Sequence, residues 1–256
     1  MIFIDWDIPG RWLPGPHWLH WGIALLLAMS VTAIFGLIIE RLTIRPMIGE
    51  PVFSMAVITL GLEVIIRAVA DDAVRLVPRN LGIPWGSDTF SLGGASVAWS
   101  YVAAAVMAAF VFIVVWRFLR TRTGVAMQAT AFDQEAGLAQ GINVGMIFAI
   151  AWAAGSALAA AAGIFASMSP WAAAGVASRE GAFFAFRALP AVIVGGLDSV
   201  VGALAGGMLI GFVEIFAGQY LSSYANILGF GYQQVIPYVV MLIALLIRPY
   251  GLFGTE

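Results

Sequence analysis

Few side chains in this sequence have the type and surroundings to do chemistry, and two of them are acids set in apolar runs. Glu63 lies in VITLGLEVIIRAVA with Arg67 four residues on, and Glu214 lies alone in GGMLIGFVEIFAG. A Glu followed by an Arg at i+4 shares one helix face and can neutralise itself, whereas a lone carboxylate in lipid needs a cation, a wet cavity or a helix end. Glu214 therefore reads either as a structural acid near a helix end or as a group lining a cavity. His17 and His20 are the only histidines and stand among Trp residues just before an apolar run. That is the pattern of a membrane interface, and with no carboxylate cluster beside them no metal site is expected. The chain has no Cys, so thiol nucleophiles, disulfides and thiolate metal sites are excluded.

The other chemically suggestive stretch is residues 117–145, RFLRTRTGVAMQATAFDQEAGLAQGINVG. Asp133 is placed to cap a short helix from about Gln134 to Gln140, Glu135 favours the positive end of its first turn, and Gly141 suits a left-handed cap. Such a helix presents Ala136, Leu138 and Ala139 among polar neighbours. It either lies on the membrane surface or docks in a partner's groove.

The elements that must position these groups follow from composition. The chain has 256 residues, 62% apolar and only 10% charged, with a mean hydropathy of +0.97. Water-soluble domains carry about 25% charged residues to cover their surface, so this is an integral membrane protein. A net charge of −2 and the lack of any basic block exclude nucleic-acid binding. A crossing helix takes about 20 apolar residues, which yields an all-α, polytopic bundle of about six spans within one transmembrane domain, residues 1–256. The spans are His20 to Ile39, Val52 to Ala70, Val97 to Trp116, about Met146 to Met168, one starting near Val200, and one from about Gln233. Ala188 to Leu197 is too short to cross alone and is bounded by Pro190, Gly195, Gly196 and Asp198, so it reads as a half-helix or steeply broken span.

Arg41 and Arg45, Arg117, Arg120 and Arg122, and Arg248 follow spans in short loops, which places those ends and the 117–145 loop in the cytoplasm. Arg75, Arg79, Arg179 and Arg187 fall on the outer side. The first residues, MIFIDWDIPGRW, have Asp5 and Asp7 where a secretory signal would be basic, and no small-residue cleavage site, so they do not read as a signal peptide. Gly155, Ala159 and Gly163, then Gly202 with Gly206 and Gly207 with Gly211, form small-residue stripes that suit close helix packing or sliding faces.

The residues then carry a family resemblance. Glu135, Ala136 and Gly137, with Gly141 following, resemble the EAA-xxx-G loop of bacterial ABC importer permeases, Gly137 standing for the second Ala. TRTGVAMQATAFDQEAGLAQGINV, ERLTIRPMIGEP with ITLGL, LPAVIVGGLDSVVGALAGGMLIGFVE and RPYGLFG each resemble branched-chain amino-acid permeases of the LivH type, in order from Ile39 to Gly254. The resemblance implies a membrane subunit of an ATP-driven importer in the bacterial inner membrane. It implies a second permease subunit, two cytoplasmic ATPase subunits and a periplasmic solute-binding protein as partners. The coupling residues would be Asp133, Glu135, Ala136, Gly137, Leu138 and Gly141. The chain has no P-loop, so it is not itself an ATPase; it binds no cofactor, and ATP is used by the partner subunits.

Permeases of this type begin with a further apolar hairpin that has no counterpart here, so a miscalled start, a fragment or a subunit working without it are all compatible with the sequence. Breaks at Pro190, Gly195 and Gly196 suggest backbone dipoles aimed at a zwitterion's carboxylate, making them, with Glu214, candidates for the translocation path. Branched-chain or related amino acids are the expected cargo. Two rival readings stand beside this one: a secondary transporter driven by protons through Glu214 or Glu63, and a truncated fragment that transports nothing.

Overall fold

Long apolar runs fold as helices here because a helix is the one open-ended structure that satisfies every backbone N–H and C=O inside lipid. The computed structural model describes residues 16–49, 52–74, 85, 88–168, 178–224 and 232–254. Among them, the stretches Trp18–Met47, Trp99–Leu119, Val144–Ala166 and Val200–Tyr220 are long and apolar enough to cross a membrane. The helices in chain order are α1 (His17–Ile39), α2 (Val52–Val74), α3 (Trp99–Leu119), α4 (Arg122–Phe132), α5 (Gln134–Ala139), α6 (Val144–Ala166), α7 (Ser178–Gly195), α8 (Val200–Tyr220) and α9 (Tyr232–Ile247). The architecture is thus the helical membrane bundle expected from composition. Contacts gather into two compact units, Met1–Arg179 and Glu180–Glu256, inside the stretch read above as one transmembrane domain.

Three features differ from the sequence reading. The loop before α3 holds a two-stranded antiparallel hairpin, β1 (Thr89–Leu92) and β2 (Ala95–Ala98), with Thr89 opposite Ala98. Gly93 and Gly94 turn it with φ of +59° and +89°, the doubly left-handed turn that matches strand twist and that Gly-Gly supplies without steric cost. The 117–145 connector contains not one short helix but two, because α4 precedes α5. Last, the span expected to break at Pro190 does not break there: α7 runs 18 residues through Pro190 and stops at Gly195. Its apolar part, Phe186–Gly195, remains too short to cross a bilayer. The expectations for residues 1–15, for Arg75 and Arg79, and for 169–177 and 225–231 fall outside the described residues.

In the first unit α1 lies antiparallel against α6. Near its amino-terminal end Trp21 meets Phe165 edge-on, with ring centroids 5.8 Å apart. Further along, buried Gly36 faces Ser156 and the Trp152 carbonyl, which a Cβ on Gly36 would approach to 2.9 Å. Trp85 stacks on Phe165 and donates its indole N–H to Ser100 Oγ at 2.9 Å, fixing the start of α3 to the same aromatic cluster.

The second unit uses one of the small-residue stripes. Gly202 and Gly206 of α8 press on α7, where a Cβ on Gly206 would overlap the Ala191 carbonyl and come within 2.8 Å of the Gly195 nitrogen. Gly207 and Gly211, on the neighbouring stripe, have open space at their Cβ positions, as do Gly155 and Gly163 of α6. Adjacent glycines with opposite surroundings give a direct test. Gly206→Ala forces two backbones apart and is expected to destabilise the purified protein by about 1–3 kcal/mol, whereas Gly207→Ala is expected to be neutral or slightly stabilising through helix propensity. Unfolding midpoints of the two variants in one detergent would check this.

Candidate functional site

The connector is built by local caps that the sequence writes residue by residue. Arg120 leaves α3 with its guanidinium 3.6 Å from the centroid of the Trp116 ring. Thr121 then caps α4, its Oγ1 accepting from the Gly124 N–H at 3.2 Å, and Gln128 Nε2 donates to the Leu119 carbonyl at 2.9 Å. Gly124 is buried, and a Cβ there would overlap the Phe118 carbonyl, so only glycine lets α4 fold back so closely on α3. Asp133, in extended conformation, caps α5 with Oδ1 accepting from Glu135 N at 2.9 Å and Ala136 N at 3.0 Å. At the other end Gly141 has φ +79°. Its N–H donates to the Leu138 carbonyl at 3.0 Å and the Ile142 N–H donates to the Gly137 carbonyl at 3.0 Å, the paired bonds that close a helix through a left-handed residue.

Both predicted caps of α5 are therefore present. The helix is six residues long and depends on these caps, because so short a helix has no stability of its own. Gly137 is buried against Thr130 of α4, which turns the opposite side of α5 outward: Glu135, Ala136 and Ala139 are exposed and Leu138 is 57% exposed. Phe132, the last residue of α4, is 84% exposed. Sequence reading missed Thr121, Gly124 and Phe132, although a Thr ahead of the helix formers from Arg122 was visible as a candidate N-cap.

The candidate path residues lie in the second unit. Pro190 is fully buried in α7 and, lacking an N–H, leaves the Phe186 carbonyl without its helical partner. Tyr238 of α9 donates its hydroxyl to that carbonyl at 2.9 Å, and the helix continues. One residue on, Arg187 stands with Nε 3.9 Å from Glu214 Oε1. Glu214 is thus not the unpartnered acid its sequence context suggested, and Arg187 sits inside a helix rather than in the loop expected. The Glu214 Oε1 atom is buried and has no hydrogen-bond partner, so the pair is a loose one.

Gly195 and Gly196 lie about two turns beyond Arg187 along α7 and do something else. Gly196 has φ +106°. The two carbonyls at the end of α7 are taken by the carboxy-terminal tail, Leu252 N donating to Val194 O at 2.8 Å and Phe253 N to Gly195 O at 3.0 Å. Gly251, with φ +80°, is buried so closely that a Cβ would come within 2.7 Å of both the Gly196 nitrogen and the Ile193 carbonyl. LPAVIVGG and RPYGLFG, far apart in the sequence, form one joint.

Among the described residues no group of three His, Cys, Asp or Glu side chains is arranged to hold a metal. An apolar cavity of about 220 Å³ lies between α3 and α6, lined by residues such as Met107, Val111, Leu158 and Phe165; these offer no polar group to the ends of a zwitterion.

Comparison with known proteins places the sequence in a family. The sequence profile described as "Branched-chain amino acid transport system / permease component" matches residues 14–245. The chain is 29% identical over 237 residues to the high-affinity branched-chain amino acid transport system permease protein BraD of Pseudomonas aeruginosa, covering 90% of this chain and 74% of that one. It is 26% identical over 248 residues to the corresponding permease protein LivH of Salmonella typhimurium, covering 93% and 75%. A probable branched-chain amino acid transport permease protein LivH of Methanocaldococcus jannaschii is also 26% identical, with 92% and 76% covered. No solved structure matches the chain.

The Tyr238 hydroxyl gives a clean test of how α7 tolerates its proline. Tyr238→Phe keeps the ring and leaves the Phe186 carbonyl unsatisfied, and it is expected to cost about 1 kcal/mol in unfolding of the purified protein. In a Pro190→Ala background the substituted residue regains a backbone N–H that can donate to the Phe186 carbonyl, and there the same change is expected to cost close to nothing.

Proposed function

We propose that this chain, a multi-pass membrane protein that belongs to the branched-chain amino acid transport permease family, works as the membrane-spanning subunit of an ATP-driven importer. Its cargo is branched-chain or related amino acids handed over by a periplasmic binding protein. It pairs with a second permease subunit and two cytoplasmic ATPase subunits in the bacterial inner membrane, and takes no part in ATP chemistry itself. The observation that carries this reading is α5: a doubly capped helix, backed by Thr130 through Gly137 and presenting an exposed Leu138. A short rigid helix of this kind fits a groove in a motor subunit, and its contacts there differ between open and closed motor states, which is what coupling requires.

In this reading the motor's closure pushes on Glu135, Ala136 and Leu138. Asp133, Gly137 and Gly141 hold the helix so that the push is not absorbed by fraying. Glu214, with Arg187, faces the solute path, where a loosely held ion pair can be exchanged for contacts to a passing zwitterion. Pro190, Gly195 and Gly196 shape α7 beside that path. The acids that a proton-driven carrier would use both have a cation at hand, Glu63 paired with Arg67 and Glu214 with Arg187 beside it.

Glu135→Arg puts a cation at the positive end of α5, and Gly141→Pro imposes φ near −65° where +79° is needed and deletes the N–H given to Leu138. Both are expected to insert normally yet lose co-purifying ATPase subunit by at least about tenfold, equivalent to about 1.4 kcal/mol, with uptake falling in parallel. Full co-purification and full uptake in both variants would reject the role of α5. Uptake that stops with an uncoupler while ATP is maintained would favour the ion-driven carrier.

A further inference from the structure

Glu40 carries the strongest unexplained charge in the first unit. It is 1% exposed, yet it sits just past the end of α1, in a five-residue π turn, Glu40–Ile44, that leads into a 3-10 turn, Arg45–Met47. In a regular α-helix residues five apart point about 140° away from each other and cannot pair. The wider turn, closed by the Arg45 N–H to the Glu40 carbonyl, swings Arg45 back onto the acid. Arg45 Nε donates to Glu40 Oε1 at 3.1 Å and its Nη2 to Oε2 at 3.4 Å, a two-pronged grip on the carboxylate.

The same guanidinium reaches across to α6. Arg45 Nη2 also donates to the Gly145 carbonyl at 3.2 Å, and Arg45 Cζ would lie only 3.7 Å from a Cβ on Gly145. Gly145 is the second residue of α6, immediately after Val144, and Asn143 caps that helix through Oδ1 to Met146 N at 3.1 Å. Asn143 itself follows the Gly141 closure of α5 by two residues. The start of α6, four residues past the Gly141 closure of α5, and the end of the first membrane helix are therefore joined by one side chain, held in place by a buried acid.

We propose that Arg45, oriented by Glu40, is a positioning residue for coupling: it clamps the end of α1 to the start of α6, so that displacement of α5 moves both membrane helices as one body. This rests on the coupling role of α5 set out above. Glu40 alone would be costly to bury; its grip on Arg45 removes most of the side chain's freedom, so the bond to Gly145 transmits displacement rather than being taken up by rotamer changes. The reach of α5 is thereby extended from one membrane helix to two.

The test uses the importer reconstituted in vesicles with its ATPase subunits and binding protein, comparing wild type, Arg45→Ala and Arg45→Lys. Lys keeps a positive charge beside Glu40 but lacks the planar fork that holds carboxylate and carbonyl together. ATP hydrolysis and solute uptake are read together. Because the chain has no native Cys, spin labels at Leu42→Cys and Met146→Cys, both exposed positions, report the distance across the clamp with and without ATP.

In wild type that distance is expected to stay narrow and unchanged by ATP. In both Arg45 variants the ATPase subunits are expected to remain bound and hydrolysis to stay within about twofold, while uptake per ATP falls by about tenfold and the label distance broadens. Wild-type coupling with a narrow distance in Arg45→Ala would overturn the clamp, and wild-type coupling in Arg45→Lys would reduce Arg45 to a counter-charge. If Arg45→Ala does not insert, Arg45→Lys decides by the same readings. Should wild type itself show no ATP-dependent uptake, the coupling role of α5 fails. The clamp is then judged separately, by whether the label distance broadens in the variants.

Discussion

Inside lipid there is no water to accept or donate a hydrogen bond, so any backbone group released by a proline, a glycine stop or a helix end has to be satisfied by another part of the protein. Much of the second unit can be read as answers to that constraint. Pro190 frees the Phe186 carbonyl, and Tyr238 takes it. Gly195 ends α7, and the Leu252 and Phe253 amides take the last carbonyls. The tail thereby becomes a structural element, which gives RPYGLFG a physical reason: Gly251 must adopt positive φ and leave room for Gly196.

Charge is handled by the same logic with graded tightness. Glu63 and Arg67 neutralise each other along one helix face. Glu40 is fully buried and held by two bonds from Arg45, a tight pair whose second function is to reach another helix. Glu214 and Arg187 approach only to 3.9 Å, and one carboxylate oxygen is left without a hydrogen bond. A tight buried pair fixes geometry, whereas a loose one keeps electrostatic attraction while leaving donors and acceptors for something else. That contrast in tightness is not visible from the positions of the acids in their spans.

The connector shows how local rules and tertiary packing divide the work. Asp133 and Gly141 bound α5 through bonds spanning at most five residues, which is why both caps were legible from spacing alone. Gly137 was legible only as a departure from the EAA pattern. Its place against Thr130 belongs to the packing of α4 on α5, a fact about two helices and not about one. The α4 helix was passed over because its apolar and polar residues do not separate cleanly along a face, and its cap at Thr121 was the only local sign of it.

The sequence by itself determined what could be read within a few residues or from bulk hydropathy: a helical membrane protein, the main crossings, the Glu63–Arg67 pair and the short capped helix between the third and fourth crossings. Only the tertiary structure decided which glycines are packed and which are open, where Arg187 and Arg45 reach, and that the tail closes α7. Each of those depends on atoms separated by tens of residues, or by 100 for Arg45 and Gly145. Residue spacing along a chain carries direction on one helix, but it carries no information on which neighbour that direction meets.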